Sequence, residues 1–268
     1  MTTRLDAAVA ERGLARSRTH AAQLIDAGLV SVDGRTIVKS SARVADDSLI
    51  EVAASDHYVS RAAHKLLAAL DAFGVEVTGR LALDMGASTG GFTQVLRERG
   101  ATPVIAVDVG HGQLAPTIAA DEQVIAVEGF NVRYMTPDTL AEASGIAMPP
   151  RIVTGDLSFI SLTHVLPAVA AVAAPDADIV LLIKPQFEVG RTGVREGLVT
   201  DPGRRADAIA TVLWAAWDAG LGTHGLIASP IVGTHGNAEF VAHLRPGIAE
   251  DRGNPTAWLG DVDRLSRG

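Results

Sequence analysis

The sequence predicts an α/β protein: a parallel sheet covered by helices on both faces, preceded by a small α+β module. Three observations lead there. From residue 80 onward, short runs of buried-type aliphatics alternate with helical patterns of roughly 10 to 15 residues, the rhythm of βαβ units. Residues 3 to 52 instead read as two short helices and a hairpin. The 268 residues are 47% apolar and 20% charged with no biased tract, the balance of a soluble globular chain with ample length for a core.

"TRLDAAVAERGLA" places Thr3 and Asp6 at capping-box-like spacing and Leu5, Val9 and Leu14 at near-helical intervals, so a helix is expected from Thr3. "SRTHAAQLIDAG" offers Ser17 as N-cap and Gly28 just past its end. "LVSVDGRTIV" alternates about Asp33-Gly34, the strongest short hairpin signal, and "SLIEV" supplies another strand. "AASDHY" has weak strand propensity and no turn chemistry and reads as linker. The expected organisation is therefore a first domain over 1–52, a linker over 53–59 and a second domain over 60–268. The second domain opens on "SRAAHKLLAALDAFG", with Ser60 as N-cap, an apolar stripe of Leu66, Leu67, Leu70 and Phe73, and Gly74 as terminator. Lys65 lies off that stripe.

"LALDMG" then reads as a strand, "GGFTQVLRERG" as a helix, "PVIAVDVG" as a strand, "QLAPTIAADE" as a helix and "VIAVEGFN" as a strand. After "TPDTLAEASG" come the strand "IVTGDLS", a helix near "LTHVLPAVAAV" and the strand "DIVLLIKP". "DPGRRADAIATVLWAAWDAG" reads as a capped helix with Pro202 at its first position. "THGLIASPIVGTHGNAEFVAHLR" gives two strands around a glycine-rich turn, Glu239 starting the second, and the tail after Arg245 shows little structure.

Composition excludes several classes. Without cysteine there is no disulfide and no thiolate metal site. The eight histidines show no metal-ligating spacing, so no metal is expected. "MTTRLDAAVAERG" intersperses charges and is not a signal peptide. The most apolar stretch is broken by Pro167, Pro175, Asp176 and Asp178, so no membrane span is expected and the protein reads as cytoplasmic. A formal charge of −8 argues against indiscriminate nucleic-acid binding, yet residues 1 to 43 hold seven Lys/Arg against four acids.

The candidate site lies where strands end, since ligands of such sheets collect at their carboxyl edges. Asp84 ends the first strand, and Gly86-Ala87-Ser88-Thr89-Gly90-Gly91 turns into the helix at Phe92. No G-K-[ST] follows, so this is not a Walker loop, and Ser88 replaces the middle glycine of G-x-G-x-x-G. Asp108, followed by Val109, stands 22 residues after Gly86, the distance of a carboxylate gripping a ribose diol. NAD(H) and S-adenosyl-L-methionine (SAM) both fit. Ser88 crowds a pyrophosphate, whereas Asp84 and Asp156 repel phosphate and attract the cationic sulfonium and ammonium of SAM. Glu128 and Asn131, at the third strand's end, are hydrogen-bonding candidates for adenine. Asp156 and Lys184 close the fourth and fifth strands at the same edge.

Two resemblances add to this reading. Residues 3 to 52, with "SRTHAAQLI", "GLVSVDG" and Lys39, resemble the S4 RNA-binding domain; the Asp33-Gly34 hairpin disfavours a DNA-reading helix-turn-helix. The resemblance implies that Arg4, Arg16, Arg18 and Lys39 face RNA phosphates. Lys65, Asp156, Lys184 and Glu239 with "GASTGGF" resemble the K-D-K-E tetrad of FtsJ-type RNA 2′-O-methyltransferases, whose catalytic domain is a seven-stranded Rossmann-like fold. "SRAAHKL", "LDMGASTGGFT", "VDVGHGQLA", "DLSFISLTHVLPA" and "LIKPQFEVGR" extend the likeness to the TlyA (hemolysin A) family of ribosomal RNA methyltransferases. That likeness implies SAM-dependent methylation of a cytidine 2′-hydroxyl in ribosomal RNA within ribosomal subunits. A ribose hydroxyl needs a general base, and a desolvated lysine beside another cation can serve. The resemblance gives that role to Lys184, with Lys65 as neighbouring cation and Asp156 and Glu239 positioning the two. Arg61 and Arg133 are expected phosphate contacts, and residues 188 to 201, with Arg191 and Arg195, form a glycine-rich loop read as a lid. Rival readings are a pore-forming hemolysin, an NAD-dependent enzyme and a catalytically idle RNA-binding factor.

Overall fold

The computed structural model describes residues 2–15, 17–26, 28–52, 57–190, 197–233, 236–247 and 253–268. Its N-terminal module is built from β1 (Thr2–Arg4), α1 (Leu5–Glu11), α2 (Arg18–Asp26), β2 (Val30–Val32), β3 (Arg35–Thr36), β4 (Arg43–Ala45) and β5 (Ile50–Val52). β1 pairs antiparallel with β4, and β2 lies between β3 and β5. The hairpin forms as expected: Asp33 and Gly34 both take positive φ, 50° and 76°, the type I′ requirement. Ser17 caps α2 by accepting from the His20 N–H at 3.1 Å, and Gly28 is left-handed past its end. The first helix departs from expectation. Thr2 to Arg4 form a strand, so the helix begins at Leu5 and Thr3 caps nothing. Pairing with "RVA", itself not foreseen as a strand, outweighs the cap. Leu5, Val9, Ala21, Ile25, Val30, Val44 and Ile50 make this module's own core.

A seven-stranded sheet follows. It contains β6 (Ala82–Met85), β7 (Val104–Asp108), β8 (Val124–Glu128), β9 (Ile152–Gly155), β10 (Asp178–Ile183), β11 (Leu221–Ala228) and β12 (Phe240–Pro246). The order is β11-β12-β10-β9-β6-β7-β8. Five strands are parallel; β12 runs antiparallel to β10 and β11, so the sheet is mixed rather than all parallel. Residues 229–239 separate β11 from β12, fewer than the dozen or more that a parallel crossover needs, so the two strands pair antiparallel. The chain thus has a Rossmann-like sheet preceded by a small α+β module.

One face packs on α3 (Ala62–Phe73) and α4 (Gly91–Glu98) through Leu66, Leu70, Phe92, Val95 and Leu96. The other packs on α6 (Pro137–Ser144), α7 (Leu166–Val172) and α9 (Pro202–Asp218), with α5 (Pro116–Ala119) beside the β7–β8 connection and α8 (Pro185–Glu188) after β10. Residue alternation assigns the faces: Leu83, Met85 and Leu181 point to the α9 side, Ala82, Val180 and Leu182 to the α3 side. Asp201 caps α9 by accepting from the Arg204 N–H, with Pro202 at N1 as expected. "QLAPTIAADE" yields only the four-residue α5.

One further expectation is corrected. The tail after Arg245 is structured: α10 (Leu259–Arg267) packs Val262 and Leu265 against the α9-side core, led in by a 3₁₀ turn at Pro255–Trp258 that Asn254 caps. The end of the segment read as linker is anchored as well. Val59 N–H donates to the Gln94 side chain, His57 Nε2 meets Glu98 at 2.9 Å, and Tyr58 packs on the α3-side core. Residues 53–56 lie outside the described residues. Among the described residues no helix is long and apolar enough to cross a membrane.

Candidate active site

Alternation carries the site onto the α3 side of the sheet. Asp156 follows Thr154 by two residues, Lys184 follows Leu182 by two, and Glu239 precedes Val241 by two; Leu182 and Val241 face α3. β12 starts where β10 ends, Phe240 opposite Ile183, so Glu239 arrives beside Lys184 at the carboxyl edge. α3 adds Lys65, four residues before the buried Ala69 and hence on the same helical face.

The four groups meet. Lys65 Nζ donates to Glu239 Oε2 at 2.6 Å and lies 3.6 Å from Asp156 Oδ2; Lys184 Nζ is 2.6 Å from Asp156 Oδ1. Lys65, Lys184 and Glu239 are buried, and two ammonium groups facing two carboxylates need no external counter-ion. Burial opposes ionisation of Asp156, but Lys65 and Lys184 outweigh it and hold the carboxyl below the usual carboxylate range. A Cβ on Gly233 would stand 2.0 Å from Glu239 Oε1, so only glycine admits this carboxylate.

The tetrad lines a cavity of about 240 Å³ with Arg61, Ala87, Thr89, Gly91 and Phe92. An adjoining cavity of about 570 Å³ is walled by Asp108, Val109, Phe130, Asn131, Val132 and Leu157. Gly86, Ser88, Asp156 and Ser158 border both, so the glycine loop is the partition between them. Asp108 holds the partition in place: its carboxylate accepts from the Ser88 N–H at 2.9 Å and the Gly110 N–H at 2.8 Å. Gly86 has φ 77°, and a Cβ there would stand 3.0 Å from the Leu157 side chain. A Cβ on Gly91 would stand 2.8 Å from Ser60 Cβ, so that glycine lets α4 approach the start of α3.

Some expected residues stand elsewhere. Asp84 lies within β6, not at its end, and points under α4, where both oxygens accept hydroxyls, from Thr93 at 2.6 Å and Thr154 at 3.1 Å. It is fully buried and borders neither cavity, so it cannot be the acid at the loop mouth. Burial pushes its carboxyl up to about 6, with the two threonines pulling the other way. Glu128 is exposed, accepts from the Gly112 N–H at 2.6 Å and borders neither cavity. Gly90, left-handed at φ 97°, turns towards Ile118 and Leu114.

Of the expected RNA contacts, Arg4, Arg18, Lys39 and Arg133 are exposed, and Arg61 reaches the smaller cavity. Arg4 and Arg18 converge on the buried Asp6 at 2.8 and 3.2 Å, and their bonds hold its carboxyl down at about 2. Arg16, and Arg191 and Arg195 of the expected lid, lie outside the described residues. Three site residues have no counterpart in the sequence reading. Ser158 accepts from Lys184 Nζ at 2.9 Å. Phe159, 92% exposed with φ 65°, stands at the rim of the larger cavity. Glu188 accepts from Ser161 Oγ at 2.5 Å and the Leu162 N–H at 3.0 Å. Ser158 and Phe159, two and three residues after the strand-end acid, were the available signal, but a phenylalanine between Leu157 and Ile160 reads as core.

Comparison with known proteins places this geometry. The profile of the FtsJ-like methyltransferases matches residues 58–246, and that of the S4 domain residues 3–50. Fold and site thus define a methyltransferase, an enzyme, joined to an S4 module. The chain is 47% identical over 245 residues to the 16S/23S rRNA (cytidine-2′-O)-methyltransferase TlyA of Mycobacterium tuberculosis H37Rv, covering 90% of this chain and 89% of that protein. It is 36% identical over 242 residues to Hemolysin A of Brachyspira hyodysenteriae, covering 90% and 99%. A solved structure of a candidate hemolysin from Streptococcus thermophilus superimposes with a TM-score of 0.75 at 35% identity, covering 99% of this chain and 96% of that one. The chain belongs to the TlyA family.

Proposed function

We propose that this enzyme transfers a methyl group from SAM to the 2′-hydroxyl of a cytidine in ribosomal RNA, acting on the small subunit, the large subunit or both. One observation carries the reading: Lys65, Asp156, Lys184 and Glu239, spread over 174 residues of sequence, converge within bonding distance beside the glycine loop. The name of the relative at 47% identity supplies the substrate class.

The larger cavity suits SAM. Its volume is ordinary for a nucleoside-sized ligand. Val109, Phe130, Val132 and Leu157 offer apolar walls for adenine. Asp108 retains lone pairs for ribose hydroxyls, and Asp156 at the common border meets positive charge. When bound there, SAM supplies a methyl on sulfur whose C–S bond breaks as the ribose O–C bond forms.

The chain's own groups do the rest. Lys184, in its amine form, accepts the 2′-hydroxyl proton at Nζ. Asp156 Oδ1 lies 2.6 Å from it, the Ser158 hydroxyl accepts from it, and Lys184 lines the smaller cavity. Lys65, held by Glu239, donates to the ribose oxygen and fixes its approach. Phe159 offers a flat exposed face on which a base can stack. Arg61 and Arg133 stand near the two cavities as phosphate contacts, and the S4 module adds Arg4, Arg16, Arg18 and Lys39. RNA of A-form geometry is held by such backbone charge and shape.

Incubating the enzyme with methyl-labelled SAM and separate small and large ribosomal subunits tests this directly. Label recovered as an alkali-resistant 2′-O-methylated dinucleotide is the expected result, and the labelled subunit identifies the substrate. Label on a base, or none in either subunit while SAM binds, refutes the assignment.

A further inference from the structure

The loop after β9 carries most of the chemistry yet is poorly held by its own sequence. Asp156 bridges the two lysines, Ser158 accepts from Lys184, and Phe159 presents its ring to solvent. Phe159 is left-handed, a conformation costing a side-chain-bearing residue roughly 1–2 kcal/mol, and its exposed ring gains little packing in return. The restraint must come from elsewhere.

It comes from the segment that holds Lys184. Glu188 is the last residue of α8, four beyond Lys184, the extended residue that leads into that helix. Its two carboxylate oxygens take one donor each, the Ser161 hydroxyl at 2.5 Å and the Leu162 N–H at 3.0 Å. Lys184 with Ser158 and Glu188 with Ser161 and Leu162 therefore tie the same two segments together twice, like neighbouring rungs. The Phe159 and Phe187 rings, one from each segment, stand 5.4 Å apart. Helix capping alone does not explain Glu188. The 3₁₀ turn Leu162–His164 already has a cap, the Ser161 hydroxyl accepting from the Thr163 N–H. Burial pushes the Glu188 carboxyl up, so its two bonds are made against a desolvation cost.

We propose that Glu188 is a positioning residue for methyl transfer: it anchors the 156–162 loop so that Ser158 stays in line with Lys184. The proposal rests on Lys184 being the base. A displacement on the order of 1 Å at a reacting group can cost about a hundredfold in rate; residues 156–160 of this loop also wall the larger cavity, so loosening the rung lowers the transfer rate at saturating SAM by more than it lowers SAM affinity.

The test measures single-turnover transfer to ribosomal subunits, SAM affinity by calorimetry and melting temperature for full-length Glu188→Ala, Glu188→Gln, Ser158→Ala, Lys184→Ala and the Glu188→Ala/Ser158→Ala pair. Glu188→Ala is expected to lose about 10- to 100-fold in single-turnover rate at saturating SAM, a larger factor than its loss of SAM affinity. Glu188→Gln, which keeps one acceptor oxygen, recovers part of that loss. The double variant is no slower than its slower parent, because both act through one lysine. If Glu188→Ala does not fold, Glu188→Gln carries the same comparison. Rates within twofold of wild type, or a rate loss matched by lost SAM affinity, overturn the positioning role. Fully active Glu188 variants beside inactive Lys184→Ala defeat this proposal alone; active Lys184→Ala defeats the base assignment and this proposal with it.

Discussion

Asp156 stands between two ammonium groups, so removing one lysine still leaves it paired with the other. That is why Lys184→Ala should separate chemistry from binding. Transfer is expected to fall by about 10²- to 10⁴-fold, the usual contribution of a general base, while calorimetry finds SAM affinity close to wild type. Retained turnover would take lysine out of the base role. Asp108→Ala should do the reverse: it removes a ribose acceptor and releases the Ser88 and Gly110 N–H groups, so SAM affinity should drop about 10- to 100-fold. Unchanged affinity would move the nucleoside elsewhere. At this scale Asp156 and Lys184 were legible because a charged residue directly after an aliphatic run lies at the sheet edge; Lys65 and Glu239 joined them only through the likeness to the FtsJ-type tetrad. Ser158 and Glu188 were not legible, since their roles depend on which loops meet across 26 residues of sequence. Asp84 was misplaced by one residue of strand, enough to turn its carboxylate from the loop mouth to the underside of α4.

Helices α3 and α4 meet where Ser60 and Gly91 touch, and that contact sets how Lys65 on α3 faces the sheet. Ser60 Cβ is fixed to backbone, so a methyl on Gly91 can be accommodated only by moving one helix. Gly91→Ala should therefore destabilise by about 1–3 kcal/mol, read as a lower melting temperature, and should slow transfer more than it weakens SAM binding. A variant that melts and turns over like wild type would mean the contact carries no constraint. Element identity was largely readable: the Asp33-Gly34 hairpin, the Asp201 cap of α9 and the strand–helix alternation all formed as their residues predict. Boundaries were less so. β1 forms because its partner β4 is 39 residues away, a pairing that no local pattern contains. α10 was within reach: Asn254-Pro255 opens it, and Trp258, Val262 and Leu265 repeat at helical spacing.

Across the whole molecule, buried carboxylates with opposite shifts set the acid behaviour. Asp84, raised to about 6, is ionised in both folded and unfolded chains above that pH; between about 6 and 4 only the folded state takes up its proton, so its contribution to stability rises as pH falls. Asp178, held near 2 by His243 and Arg80 against the cost of burial, and Asp6 behave oppositely: their stabilisation is complete above about 4 and is lost as pH falls towards 2. Thermal melts of Asp84→Asn should therefore match or exceed wild type at pH 7.5 and lack its gain, on the order of 2 kcal/mol, between pH 6.5 and 4.5. A large loss at pH 7.5 would show the carboxylate to be favourably held. The S4 module supplies the last test, because its core of Leu5, Val9, Ile25 and Ile50 is a cluster separate from the two that line the catalytic sheet. Residues 1–52 can therefore be deleted without opening the SAM cavity. If Arg4, Arg16, Arg18 and Lys39 each neutralise a phosphate, the deletion should lower ribosomal-subunit affinity and flatten its log–log salt dependence by roughly 3, with SAM affinity unchanged. Equal affinity and an equal salt slope would place RNA recognition entirely in the catalytic domain, on residues such as Arg61, which lines the smaller cavity, and the exposed Arg133.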